Sequence, residues 1–206
     1  MSLFGELERS RIADAVAEVE QRTNAELVTV LAARSADYVH HMLAWASIAA
    51  LLVCVPLALL QLSLPVVLSS QLAVFCGLVL LFRIPALARR LIPRRLGHWH
   101  AANMARRQFL EQGLHHTKGE TGVLIFVSEA ERYVEILVDR GISAHVDDGR
   151  WQSIVDGLIE NVQRKRVLTG FASAIAECGE ILAEAVPKTA DNPNELANRL
   201  VVIGYD

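Results

Sequence analysis

The sequence predicts a discontinuous α/β domain with a small central sheet, interrupted by a two-helix membrane hairpin. Three observations carry this prediction. The 206-residue chain holds 20 basic and 23 acidic residues, yet residues 42–82 contain neither kind. Short apolar runs at 27–31, 123–127 and 133–138 read as strands, none long enough to stand alone in water. Four charged stretches around them repeat apolar residues at helical spacing, as helices covering a sheet do. An apolar content of 52% with 12 glycines excludes a disordered or collagen-like chain. Three cysteines, two of them inside the apolar run, cannot staple a secreted scaffold. The net charge of -3 gives no basic field, so no nucleic-acid partner is expected.

The first helix is expected over about 4–22, where Ile12, Val16 and Val19 share a face, and Thr23-Asn24 breaks the pattern. The strand at 25–33 follows, buried on at least one face. The uncharged run is about twice the roughly 20 residues that one helix needs to cross a bilayer. Gln61-Leu62-Ser63-Leu64-Pro65 punctuates its middle and divides it into spans at 42–60 and 66–87. Pro56 kinks the first span and Trp45 lies near its interface. A soluble helical hairpin would show a polar stripe, and this run has only scattered Ser and Gln. Arg83, Arg89, Arg90, Arg94, Arg95, Arg106 and Arg107 follow the second span, whereas the connecting turn has no charge. The arginine-rich side is therefore expected to be cytoplasmic, with both termini there and the lipid bilayer as first partner. Arg89, Arg90, Arg94 and Arg95 form a basic segment suited to the membrane surface.

Beyond it, Trp99, Ala102, Ala105 and Phe109 define a helix over 98–116, and 117–122 is a loop. Strands at 123–127 and 133–138 are joined closely enough for a hairpin, and Gly141 ends the second. Trp151, Ile154, Leu158 and Val162 mark a helix over 148–164. Phe171, Ile175, Cys178, Leu182 and Val186 mark another from Thr169, stopped by Pro187. Leu200 to Ile203 is either a last short strand or an apolar plug. The chain thus divides into 1–41 and 98–206, two parts of one domain, around a hairpin at 42–87 and a juxtamembrane segment at 88–97.

The order of these elements, with Gly122 to Val127, Glu131 to Ile142 and Asn194-Glu195-Leu196, resembles the TPM-domain family, which includes a plant thylakoid-lumen acid phosphatase and bacterial envelope proteins. The resemblance implies an α/β/α sandwich, in a bacterial branch with an inserted hairpin. It implies for some members Ca2+ binding and acid phosphatase activity at acidic side chains near strand ends. Glu120-Thr121-Gly122 stands where relatives often carry an Asn or Asp pair before the glycine. Asp139-Arg140-Gly141-Ile142-Ser143 stands where a Gly-Tyr-Gly-x-Glu pattern is usual, so Gly141 matches and the following acid is missing. Most relatives place the domain outside the cytoplasm, opposite to what the arginines indicate.

The residues themselves offer Glu120, Asp139 and Asp147, with Asp148 beside it, as acids on strand-end loops suited to a hard cation, Ca2+ or Mg2+, though in no EF-hand spacing. Such a cation could polarise a phosphoryl oxygen; solvated loop acids are the simpler account. The pairs His40-His41, His98-x-His100 and His115-His116 lack ligand-spaced companions and read as solvated or interfacial residues. Asp191, Asn192, Asn194 and Glu195 form an oxygen-rich cluster that a turn around Pro193 explains equally. No phosphate-binding loop, nucleophile elbow, zinc-protease or Cys-x-x-Cys motif occurs. The expectation is an inner-membrane protein of bacterial type whose domain is a non-catalytic interaction or assembly module, with other membrane proteins among its partners. The alternative is a divalent-metal-assisted acid phosphatase.

Overall fold

A computed structural model describes residues 5–84, 93–189 and 195–204. At the centre of its sheet lies β1 (Glu26–Ala32), buried along its whole length. Burial of both faces is why this strand reads as a continuous apolar run rather than an alternating one. It pairs in parallel with β2 (Gly122–Ser128) and with β4 (Leu200–Ile203), and β2 pairs antiparallel with β3 (Tyr133–Val138), giving the order β3-β2-β1-β4. Residues 200–203 are thus a strand: Thr29 to Ala32 offer the free edge of β1 as partner.

Seven α-helices accompany the sheet among the described residues. Leu27, Leu31, Val123, Ile125 and Val127 face a core built by α1 (Glu6–Glu20), α6 (Asp148–Gln163) and α7 (Val167–Ala185). Val28, Val30, Ala32, Leu124 and Phe126 face the opposite way, under α4 (Arg94–Glu111). This is an α/β/α sandwich, three helices on one face and one on the other. Helix α5 (Arg140–Ser143) is one turn long. The helix expected from His98 begins four residues earlier, because the Pro93 carbonyl accepts from the amides of Leu96 and Gly97. It stops at Glu111, where Gly113 at φ 76° turns the chain into a 3-10 turn at Leu114–His116. Arg94 and Arg95 therefore belong to α4, while Arg89 and Arg90 lie outside the described residues, as do Asp191, Asn192, Pro193 and Asn194.

The chain divides into two units, Met1–Ser35 with His98–Asp206, and Ala36–Gly97. The second contains α2 (Val39–Leu59) and α3 (Leu64–Phe82), packed against each other across a short turn. Both are long and apolar enough to span a membrane. Helix α3 ends at Phe82, five residues before the expected end of the second span. Of the side chains in the two helices only Ala46 and Ala50 are buried, and Leu51, Leu52, Leu59, Leu72 and Leu80 are each more than half exposed. A core helix hides such residues, and each is worth about 2 kcal/mol when removed from water.

Candidate functional site

The acidic residues collect at one end of the sheet, where β1 and β2 begin and β3 ends. Parallel pairing sets Glu26 opposite Gly122, and antiparallel pairing sets Val138 opposite Val123, so the loops before β2 and after β3 must meet there. They do so through backbone. The Asp139 amide donates to the Gly122 carbonyl and the Gly141 amide to that of Glu120, each at 2.9 Å. Glu120 takes a left-handed conformation, φ 57°, with its side chain exposed.

Of the expected metal ligands, Glu120 and Asp139 are brought to this end together. The Asp139 side chain caps α5, accepting the Arg140 amide at 2.8 Å through Oδ1. Asp147 caps α6 through Oδ2, which accepts the Gly149 amide at 3.0 Å. Both aspartates thus satisfy helix N-termini, which is what short acidic side chains do at that position. Among the described residues no three His, Cys, Asp or Glu stand close enough to hold a metal ion. The donor set expected for a hard cation, six to eight converging oxygens, is not assembled by these residues.

Two acids that sequence reasoning passed over are buried here instead. Glu26 accepts the amides of Glu195 and Leu196, each at 3.1 Å, one on each carboxyl oxygen. Glu20 accepts the Leu27 amide at 3.0 Å. Burial pushes the Glu20 carboxyl up to about 7, against hydrogen bonding from Leu27, while Glu26 adds to the rise and Asn198 and Lys188 oppose it. Burial likewise raises Glu26, opposed by its bonds to the two amides. The signal was available: Glu20 follows Val16 and Val19 on the inward side of α1, and Glu26 directly precedes the β1 apolar run. Glu20 thus holds the start of β1 and Glu26 clamps the segment leading into β4, and the Lys118 amide, donating to Glu195 at 3.3 Å, ties the loop before β2 to the same segment.

Elsewhere in the domain, Glu135 and Tyr133 lie on β3, where burial raises both groups and Arg106 lowers them in part. Cys178 is fully buried, and burial pushes its thiol well above the usual range, as for an inert core thiol. His115 and His116 lie against each other on the 3-10 turn and remain exposed.

A family model described as the TPM domain matches residues 91–181. Among solved structures, the NMR structure of the BA42 protein from the psychrophilic bacterium Bizionia argentinensis resembles this chain with a TM-score of 0.62 and 17% identity, over 98% of this chain and 96% of that one. At that identity the likeness is one of fold. No curated protein matches. The matched residues contain α4, β2, β3, α5, α6 and most of α7, with Glu120, Asp139 and Asp147, whereas Glu20, Glu26 and Glu195 lie outside them; over residues 91–181 this chain matches the TPM domain.

Proposed function

We propose that this is a membrane-anchored protein whose TPM domain is a non-catalytic interaction or assembly module. The observation that carries the reading is the use made of the acids: Asp139 and Asp147 cap helices, and Glu20 and Glu26 clamp the chain. Groups committed to the fold in this way are poor candidates for chemistry. The exposed apolar surfaces of α2 and α3 supply the anchor, and Arg94 and Arg95 at the start of α4 suit an anionic membrane surface. In this reading both termini are cytoplasmic, in a bacterial inner membrane.

The second reading, a Ca2+- or Mg2+-assisted acid phosphatase, is favoured by one observation, the backbone bond that holds Glu120 beside Asp139 and Gly141. Calorimetric titration of the full-length protein in detergent with Ca2+ and Mg2+, beside a phosphate-ester hydrolysis assay, separates the two. The module reading expects neither binding nor turnover that depends on Asp139. Saturable binding and hydrolysis, both lost in Asp139→Ala, would establish the phosphatase instead.

A further inference from the structure

Along the β4 edge of the sheet, on the face that α4 covers, α4 and β4 do not close on each other. The chain passes from β1 to β2 by way of α4 on one face, and from β3 to β4 by way of α6 and α7 on the other. Here the gap is a cleft of about 650 Å³, well within the size of small-molecule sites.

Its floor is apolar, made by Met104, Val201 and Ile203, and Ser35 lies at its rim. Ser35 is fixed there by its Oγ, 2.8 Å from that of Ser128, and by its amide, which donates to the Glu131 carboxylate. The wall is a polar stripe of α4. A helix packing on Val201 and Ile203 would be expected to present apolar residues to them. Beyond Met104, α4 presents a polar relay. Gln112 donates to the side-chain oxygen of Gln108 at 3.2 Å. Gln108, 6% exposed, donates to Glu111 at 2.6 Å, and Glu111 accepts from Arg107 Nε at 2.6 Å. An exposed Arg–Glu pair one helical turn apart contributes little to stability and needs no buried amide behind it. A buried glutamine spent on orienting its acid is the arrangement of a binding group held in place. Because Arg107 meets Glu111 through Nε, its two terminal amino groups remain as a fork for another acceptor, the geometry that suits a carboxylate or phosphate.

We infer that the cleft between α4 and β4 binds an amphiphilic oxo-anion, an organic phosphate or carboxylate. Arg107 takes its head, and its apolar body lies on Met104, Val201 and Ile203. The inference uses neither the anchor nor the acidic end, so it stands apart from both functional readings.

The test is calorimetry on the full-length protein in a maltoside detergent, with titration of empty micelles subtracted. The probes are hexyl phosphate, inorganic phosphate and hexanol. Hexyl phosphate is expected to bind at one site per chain, at least about 10-fold more tightly than inorganic phosphate or hexanol. Arg107→Gln, a change on an exposed side chain, is expected to weaken it by about 10-fold or more, and Gln108→Leu by less. Absence of saturable binding, or equal binding to Arg107→Gln, would overturn the site. Inorganic phosphate binding as tightly as the ester would overturn the amphiphile in favour of a free anion, and hexanol binding as tightly would overturn the role of the charge.

Discussion

Gly141 has no room for a side chain. A Cβ there would collide with the carbonyl oxygen of Gly119 and stand 2.8 Å from that of Glu120, both of them backbone atoms that cannot swing away. Gly141→Ala is therefore expected to cost about 2 kcal/mol or more, a fall in Tm of roughly 4–8 °C for a chain of this size, measurable by thermal unfolding. The family match at this glycine thus has a packing reason and requires no catalytic one. Glu20 makes a second prediction. Its carboxyl titrates at about 7 when folded against an ordinary 4.5, so between those values the folded chain holds a proton that the unfolded chain releases. Its contribution to stability is complete below about 4.5 and is lost as the pH rises through about 7, a change on the order of 3 kcal/mol. Glu20→Gln keeps an oxygen for the Leu27 amide and removes the charge. Urea melts are expected to show it equal to the parent near pH 4.5 and more stable at about pH 8. A profile unchanged by the substitution would mean that burial does not penalise this charge.

Among the elements, β4 depends most on partners distant in sequence. It is four residues long, and the segment leading into it is held by Glu26 and by Thr29 Oγ1, which donates to the Arg199 carbonyl at 3.4 Å. Glu26→Ala removes both carboxyl acceptors, a loss of about 1.5–3 kcal/mol if it falls on β4 alone. Hydrogen exchange should then accelerate by about 10- to 100-fold at residues 200–203 while 123–127 keep their protection. Equal acceleration across the sheet would show that the clamp supports the whole domain. The helices and the β2-β3 hairpin were legible because each carries its own pattern: Trp151, Ile154 and Leu158 at helical spacing, and a short turn between two apolar runs. β4 was not, because Leu200-Val201-Val202-Ile203 is as compatible with a plug as with a strand until the edge of β1 is known to be free. The relay on α4 escaped notice for a related reason. Arg107, Gln108, Glu111 and Gln112 look like an ordinary solvated helix face until β4 leaves a gap beside them.

For the whole molecule, the decisive fact is that β1 lies between β2 and β4 although the uncharged run separates it from them in sequence. The family match begins at residue 91 and so omits the central strand. A fragment of residues 98–206 is expected to be unfolded, with poorly dispersed amide resonances, because β2 and β4 would face an empty position. Folding of that fragment would show that β1 is dispensable. The arginine-rich flanks and uncharged turn predict that the 60–63 connection faces away from the cytoplasm. A cysteine introduced as Ser63→Cys, in a background without the native cysteines, is expected to react with a membrane-impermeant thiol reagent added to intact cells. Reaction only after lysis would reverse the topology.

The sequence alone determined the apolar hairpin, three of the four strands, the resemblance to the TPM domain and the helix faces other than that of α4, where Trp99 is 59% exposed and Ala101 rather than Ala102 joins Ala105 against the sheet, because each is written in local periodicity or in a short motif. Where the acids go was decided only by the tertiary structure. A carboxylate's role depends on which amides reach it, and those of Arg140 and Gly149 engage Asp139 and Asp147 as caps, while those of Leu27, Glu195 and Leu196 draw Glu20 and Glu26 into the fold. The cleft beside α4 belongs to the same class, since a gap between elements has no residue of its own in the sequence.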